Sequence, residues 1–278
     1  MKKILTSILK RAGIYHPLQS AYRQTLRDVQ LRISRRSYAR YKGSGFQCNV
    51  CAHSYTKFID DLPSRENKAA IELSHVVAGY GKNIICPNCF STARERLVLL
   101  MLGEHFDLEG KKVLHLSPEK HVYNYLKRVA DVTTADLHPG FYKHIDSKAR
   151  EADLMELPYA DTSFDLVVGN HILEHIPDDA KAMREIYRVV KNGGRAILQV
   201  PYSEQIPYTL EDPGIRNEKE QSRRFGQKDH VRIYAFNDYV ERLRKAGFIV
   251  NILRSSELEL YAGHAIQEGE HFLMIYKG

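Results

Sequence analysis

From residue 111 onward, short apolar runs alternate with segments of helical periodicity, and this alternation limits the fold more than any other feature of the chain. Strands separated by helices return to the same end of a sheet, so they pair in parallel, and runs such as "KVLHL" are apolar enough to be covered on both faces. The helix after that run is expected to take Ser117 as its cap and Pro118 as its first residue, with Val122, Leu126 and Val129 on one side. "DVTTADL" reads as a second strand ending in Asp136, a short third ends near Asp153, and "FDLVVGN" is the fourth. Ala180, Met183, Ile186, Tyr187 and Val190 define the next helix, which Gly193 and Gly194 are expected to close before a fifth strand, "RAILQVP". After a long polar loop come a helix around "NDYVERLRKAG" and two strands, "FIVNILR" and "HFLMIYKG", read as a hairpin at a sheet edge. The expected class is therefore α/β, with a doubly wound and mostly parallel sheet.

Upstream lie the only four cysteines, Cys48 and Cys51 in "CNVC" and Cys86 and Cys89 in "CPNC". Two thiolates spaced two residues apart on a tight knuckle both reach one ion, and two such knuckles supply the four ligands of a closed, structural Zn²⁺ site. The alternative is two disulfides, which a reducing compartment disfavours. His53 and His75 lie nearby in sequence and read as surface residues, since the cysteine set is already complete. The helix "STARERLVLLMLGEHF" follows, with Ser91 or Thr92 as cap and Leu97, Leu100, Met101 and Phe106 on its apolar face.

Charge is unevenly spread. The chain has 41 Lys+Arg against 34 Asp+Glu, a net +7, yet residues 1–42 contain eleven basic residues and one acid, Asp28, so they contribute +10 and the rest about −3. Met1, Ile4, Leu5, Ile8 and Leu9 form one helical stripe among lysines, which suits either an anionic membrane surface or a packing face. No run reaches the roughly 18 to 20 apolar residues a spanning helix needs, and no small-residue cleavage site follows the N-terminus. A cytoplasmic location is expected, with residues 1–13 as the candidate contact to the inner membrane face. Three regions are expected: a basic helical segment 1–42, a cysteine module 43–90 and an α/β domain 91–278, whose segment 201–234 forms a lid.

The stretch "FDLVVGNHILEHIPDDAKAMREIYRVVKNGGRAILQVP" at 164–201 resembles the class I S-adenosylmethionine-dependent methyltransferases, in their type 11-like branch. The likeness extends over about 111–278, and the knuckles together with "FGQKDHVRIY" look like a sub-branch that joins a zinc module to that core. It implies a seven-stranded Rossmann-like sheet with S-adenosylmethionine beyond the strand ends where the order reverses. Asp136 would accept hydrogen bonds from the ribose hydroxyls, unless it is only a helix cap. Asp153, with Leu154 behind it, would read the adenine, unless it is an exposed turn acid. Asn170 and His171 would face the methionine part and the acceptor, while Glu174 and His175 stay open between structural and catalytic roles. The family's first turn carries several glycines. This chain instead has His115, Ser117, Glu119 and His121 in "HLSPEKH". A Cβ disfavours left-handed backbone, so this turn is expected to take another route, with Ser117 offering backbone donors at a helix start and Glu119 either repelling the carboxylate of the cofactor or meeting its ammonium.

All four cysteines lie upstream of this core, which leaves no nucleophile for pyrimidine carbon methylation, and "NHILEH" replaces the run used for exocyclic amino groups. An oxygen or nitrogen of a small or carrier-linked acceptor, such as a saccharide, remains. RNA as acceptor, or a non-catalytic interaction protein on the same scaffold, are the alternatives. In the lid, His230 is the expected general base, Asp229 its orienting acid and Arg232 an anion holder, or else the three staple the loop. His171 is the rival base, and Tyr208, Arg223 and Arg224 are further acceptor contacts.

Overall fold

The computed structural model describes residues 15–77 and 79–278, with side chains from residue 25 onward. The stripe at residues 1–13 lies outside the described residues. Helix α1 (Tyr15–Ser37) leads into two antiparallel pairs, β1 (Lys42–Gln47) with β2 (Ser54–Tyr55), and β3 (Ile59–Asp61) with β4 (Gly81–Ile85), separated by α2 (Arg65–Leu73). Ser34 Oγ donates to the Pro87 carbonyl at 2.9 Å and Arg35 Nε to the Asn88 carbonyl at 2.9 Å, so the basic helix is held against the second knuckle.

Helix α3 (Ala93–His105) opens with Thr92 as cap and Glu95 reaching back to the Thr92 backbone. Next come β5 (Lys112–Leu116), α4 (Lys120–Val129), β6 (Asp131–Asp136), β7 (Arg150–Glu151), β8 (Phe164–Val168), α5 (Asp179–Val189) and β9 (Val190–Ile197). The C-terminal part adds β10 (Tyr202–Ser203), β11 (Leu210–Glu211), α6 (Glu218–Phe225), β12 (Arg232–Ala235), α7 (Phe236–Lys245), β13 (Ile249–Leu253) and β14 (Phe272–Tyr276). Seven strands form one sheet in the order β13-β14-β9-β8-β5-β6-β7. Only β14 runs antiparallel to its neighbours, and β13–β14 is the expected edge hairpin.

Alternation along the strands builds two cores. Leu114, Val167 and Ala196 face one cluster with Met183, Ile186, Tyr239 and Leu243, whereas Val113, Leu166, Val168 and Ile197 face the other with Leu97, Met101, Val122 and Leu126. Each such side chain contributes about 1.5–3 kcal/mol by leaving water. The sheet order reverses between β5 and β8, because β5 starts the chain's path to β6 on one side and β8 lies on the other. That switch point opens a crevice at the carboxyl ends of the two strands.

Several local expectations need correction. Ser117 does not cap α4; the helix begins three residues later, after Glu119, without a side-chain cap. Helix α5 stops at Val189, so Gly193 and Gly194 lie inside β9 instead of closing the helix. Gly194 is needed there, since a Cβ would lie 2.8 Å from the Lys191 carbonyl oxygen. The segment 201–234 is not a long loop. It folds into the three-stranded sheet β10-β12-β11 plus α6, whose Phe225 packs with Ile233 and Ala70 of α2.

Candidate active site and metal centre

The two knuckles share one backbone pattern. Cys48 N–H donates to the His53 carbonyl at 3.0 Å and Ala52 N–H to the Cys48 carbonyl at 2.8 Å; Cys86 with Ser91 and Phe90 with Cys86 repeat this at 2.9 Å each. Ala52 (φ 58°) and Phe90 (φ 60°) both take left-handed backbone at the same step of the turn. The result brings Sγ of Cys48 to 3.7 Å from that of Cys89, and Cys51 to 3.7 Å from Cys86. A disulfide requires about 2.05 Å. Four thiolates at about 2.3 Å from one tetrahedral ion lie about 3.8 Å apart, so the arrangement fits a Zn²⁺ ion. Ser91 N–H points at Cys89 Sγ at 3.4 Å, a donor of the kind that supports a thiolate. His53 instead turns Nδ1 to the Cys51 carbonyl, and neither it nor His75 belongs to the cluster.

The second knuckle leads directly into α3 and so fixes what the helix start presents. Arg96, fully buried, donates to the carbonyls of Ser91 (2.6 Å), Ile84 (3.0 Å), His264 (2.7 Å) and Ala265, which welds the knuckle to the C-terminal segment. Two residues earlier, Arg94 donates to Glu119 Oε1 through Nε at 2.9 Å and also through Nη2 at 2.9 Å. Asn170 Nδ2 completes the other carboxylate oxygen, Glu119 Oε2, at 2.8 Å. Burial works against the Arg94 charge, but Glu119 outweighs it and the guanidinium pKa is raised. Glu119 is therefore a neutralised partner in a cation–anion pair and not the bare repelling charge that the sequence suggested.

The first turn does take left-handed backbone, contrary to expectation: Ser117 has φ 45°. That conformation costs a residue with a Cβ about 1–2 kcal/mol. Ser117 Oγ offsets part of it by donating to Asp136 Oδ2 at 2.6 Å, which ties the ends of β5 and β6 together. The Ser117 N–H is not a free anion donor, because it already bonds the Ala135 carbonyl at 2.9 Å. His115 lies beneath, fully buried. Its Nε2 accepts from Glu119 N–H at 3.3 Å, its Nδ1 has no partner among the described residues, and burial lowers its pKa to about 4, so the ring is a neutral support for the turn.

Asp136 is half-buried, and its other oxygen accepts from His138 N–H at 2.6 Å. Tyr142 stands beside it; burial and the Asp136 charge push its hydroxyl pKa up to about 12. Asp153 is half-buried in a turn, with Oδ1 accepting from Met155 N–H at 2.8 Å, while the Leu154 side chain belongs to the core. Asn170 is buried at the end of β8, and His171 follows with φ 50°, a strained conformation for a histidine, fixed by its N–H to the Gln199 carbonyl at 2.7 Å.

A cavity of about 200 Å³ adjoins this turn, lined among others by Thr92, Arg94, His171, Tyr80, Phe225 and His230. Of the three lid residues named from sequence, only His230 reaches it. Arg232 is 1% exposed and donates to the carbonyls of Leu173 (2.8 Å), Ile176 (2.5 Å) and Pro177 (3.0 Å) and through Nε to Glu211 Oε2 (3.1 Å), so it staples the "HILEH" turn and is committed to a carboxylate of the protein itself, outside the cavity lining. Asp229 is exposed and bonds Gln227; His230 is oriented by the Phe225 carbonyl, 3.2 Å from Nδ1, and not by Asp229. Burial and the neighbouring His175 bring the His230 pKa down to about 3, which leaves a neutral ring poorly suited to take a proton near pH 7. Burial likewise holds His171 well below its ordinary value. Tyr208, Arg223 and Arg224 are outside the cavity lining, and Arg223 and Arg224 pair with Glu220 and Asp212. Sequence reasoning missed Arg94 and Tyr142. A basic residue in the first turn of a helix, where the dipole favours acids, was the available signal for Arg94.

Residues 118–198 match the family model of the methyltransferase domain. A 27-O-demethylrifamycin SV methyltransferase of Amycolatopsis mediterranei is 36% identical over 96 residues, 34% of this chain and 33% of that protein. A demethylmenaquinone methyltransferase of Listeria monocytogenes is 39% identical over 97 residues, 34% and 36% of the two chains. An uncharacterised Escherichia coli protein is 28% identical over 138 residues, 50% and 63%. The chain thus spans about a third to under two thirds of these relatives' lengths. Among solved structures, an S-adenosylmethionine-dependent methyltransferase of Mesorhizobium loti aligns over 66% of this chain and 97% of its own at 14% identity and a TM-score of 0.48. Among the described residues no helix is long and apolar enough to cross a membrane. The matched segment runs from the first turn through β9, the part of the sheet that builds the crevice, and the sheet around it has the doubly wound, Rossmann-like class I methyltransferase fold.

Proposed function

We propose that this chain transfers a methyl group from S-adenosylmethionine to an oxygen or nitrogen of a small or carrier-linked acceptor of saccharide type. The observation that carries the reading is the set of groups gathered at the switch point: Asp136 and Asp153 past two neighbouring strands, and the Arg94–Glu119–Asn170 cluster where β5 and β8 part. This set matches the cofactor piece by piece. Asp136 suits the ribose hydroxyls and Asp153 the adenine edge. The paired charges of Arg94 and Glu119 suit the carboxylate and ammonium of the amino-acid end, which replaces what a glycine-rich turn would offer through its backbone. The bound cofactor supplies an electrophilic methyl on sulfonium, so the chain's own task is to align donor and acceptor and to shed water.

The acceptor reading draws support from the cavity beside His171. Its small volume and mixed lining admit one ring-sized, hydroxylated fragment, leaving the remainder of a larger acceptor outside. The similarity to a methyltransferase acting on a rifamycin hydroxyl position is consistent with an oxygen acceptor. The cysteine cluster enters as a structural Zn²⁺ site, closed by four thiolates, that sets the position of Arg94 through α3. Incubation with methyl-labelled S-adenosylmethionine and parallel panels of nucleotide sugars, lipid-linked saccharides and RNA tests this. Label in the saccharide panels is expected; label confined to RNA would replace the acceptor class.

A further inference from the structure

Glu174 is fully buried, and among the described residues neither of its carboxylate oxygens has a hydrogen-bond partner. An unpaired buried carboxylate is costly enough that native structures supply a partner or a cation. Three imidazoles surround it instead. His171 Nδ1 lies 3.7 Å, His230 Nε2 3.9 Å and His175 Nε2 4.0 Å from Glu174 Oε1, all too long for hydrogen bonds.

The far side of two rings settles which nitrogens are free. His230 Nδ1 meets the Phe225 carbonyl at 3.2 Å and His175 Nδ1 meets the Asp229 carbonyl at 3.2 Å. A carbonyl only accepts, so each Nδ1 carries the hydrogen and each Nε2 presents a lone pair towards Glu174. Histidines that ligate metals are held in this way, one nitrogen donating to a fixed acceptor and the other on the ion. Arg232 anchors the same turn through the carbonyls of Leu173, Ile176 and Pro177, so the cluster sits on rigid backbone.

We infer that Glu174, His175 and His230 bind a divalent first-row transition-metal ion, with His171 beside it at the cavity wall. The three ligand atoms lie within 4.8 Å of one another. Ligands at about 2.0–2.2 Å from one ion stand about 3.4 Å apart, so the Glu174–His230 and Glu174–His175 separations of 3.9 and 4.0 Å close by about half an ångström, and no pair in the set closes by more than about 1.4 Å. Two imidazoles and one carboxylate suit Zn²⁺, Co²⁺, Mn²⁺ or Fe²⁺ and leave coordination positions open. Since His230 and His171 line the cavity, those positions face it. The site differs in kind from the cysteine cluster, whose four sulfurs close the sphere. An oxygen of the acceptor would occupy an open position; this last point alone rests on the methyl-transfer reading.

The test is titration of the protein as purified with Co²⁺, followed by calorimetry and visible absorption. One equivalent should bind without the intense thiolate-to-cobalt band, and Glu174→Gln or His230→Ala should weaken it more than about tenfold. Stability separates this from a structural role: without added metal, Glu174→Gln should melt at or above the wild-type temperature, and Co²⁺ should raise only the wild-type melting point. Absence of saturable thiolate-free binding, or unchanged affinity in both variants, overturns the inference. Co²⁺ binding at this cluster in a protein that fails to bind S-adenosylmethionine would leave the metal site standing and remove only the methyl-transfer reading.

Discussion

Replacing Arg96 with methionine probes how the cysteine module is joined to the α/β domain. The side chain is 0% exposed and its guanidinium donates to five carbonyls, those of Asn83, Ile84, Ser91, His264 and Ala265. Methionine fills most of the same volume, so the loss is chiefly polar. The Ser91 carbonyl keeps the Cys86 N–H as donor, and each of the others left without one costs about 1 kcal/mol, more where water cannot enter, which places the total at roughly 3–5 kcal/mol. For a chain of this size that corresponds to a fall in melting temperature of roughly 6–15 °C. Thermal unfolding followed by circular dichroism reads this directly, and chelator resistance of Zn²⁺ loaded at the cysteines should fall in parallel, since Arg96 holds the loop of Cys86 and Cys89. A shift under about 2 °C with unchanged metal retention would refute the weld.

Cys86→Ser should remove one of four thiolates and sharply lower both metal content and thermal stability, because structural zinc contributes folding free energy directly; metal analysis giving less than about half an equivalent in fresh wild-type protein would count against the site. Asp136→Ala should weaken S-adenosylmethionine binding by roughly 1.5–3 kcal/mol, measured by calorimetry, as hydrogen bonds to an ionised group are lost. Burial raises the Glu270 pKa from the usual carboxylate range to about 7, so the folded state binds a proton that the unfolded state releases near pH 4.5. The stabilisation is full below about pH 4.5 and is lost as pH rises to about 7, and Glu270→Gln should flatten this slope in urea titrations at pH 5 and 7, a difference of roughly 2–4 kcal/mol.

The sheet was legible because its signals are local. Apolar runs of five residues, a helix cap at Thr92 and the spacing of Met183 and Ile186 each report through the period of their own element. The cysteines were legible as well, since ligand spacing within each knuckle is a property of a four-residue turn. What sequence could not show is pairing between distant segments. Arg232 looked available to a ligand because the carbonyls it serves belong to residues 173–177, and the role of Arg96 left no local signal because its acceptors lie up to 169 positions away. Ser117 was misjudged for another reason: its left-handed strain is offset by Asp136 across a strand boundary. The same holds for "HILEH", whose Glu174 gains its surroundings only when residue 230 folds back onto it.

The central claim is that the crevice at the switch point accepts S-adenosylmethionine despite its lack of glycines. Calorimetric titration of the purified protein with S-adenosylmethionine and S-adenosylhomocysteine measures this most directly. The account predicts one site per chain for both ligands, with affinity reduced at least tenfold by Asp136→Ala; no heat of binding for either ligand, in protein that circular dichroism shows to be folded, would contradict it.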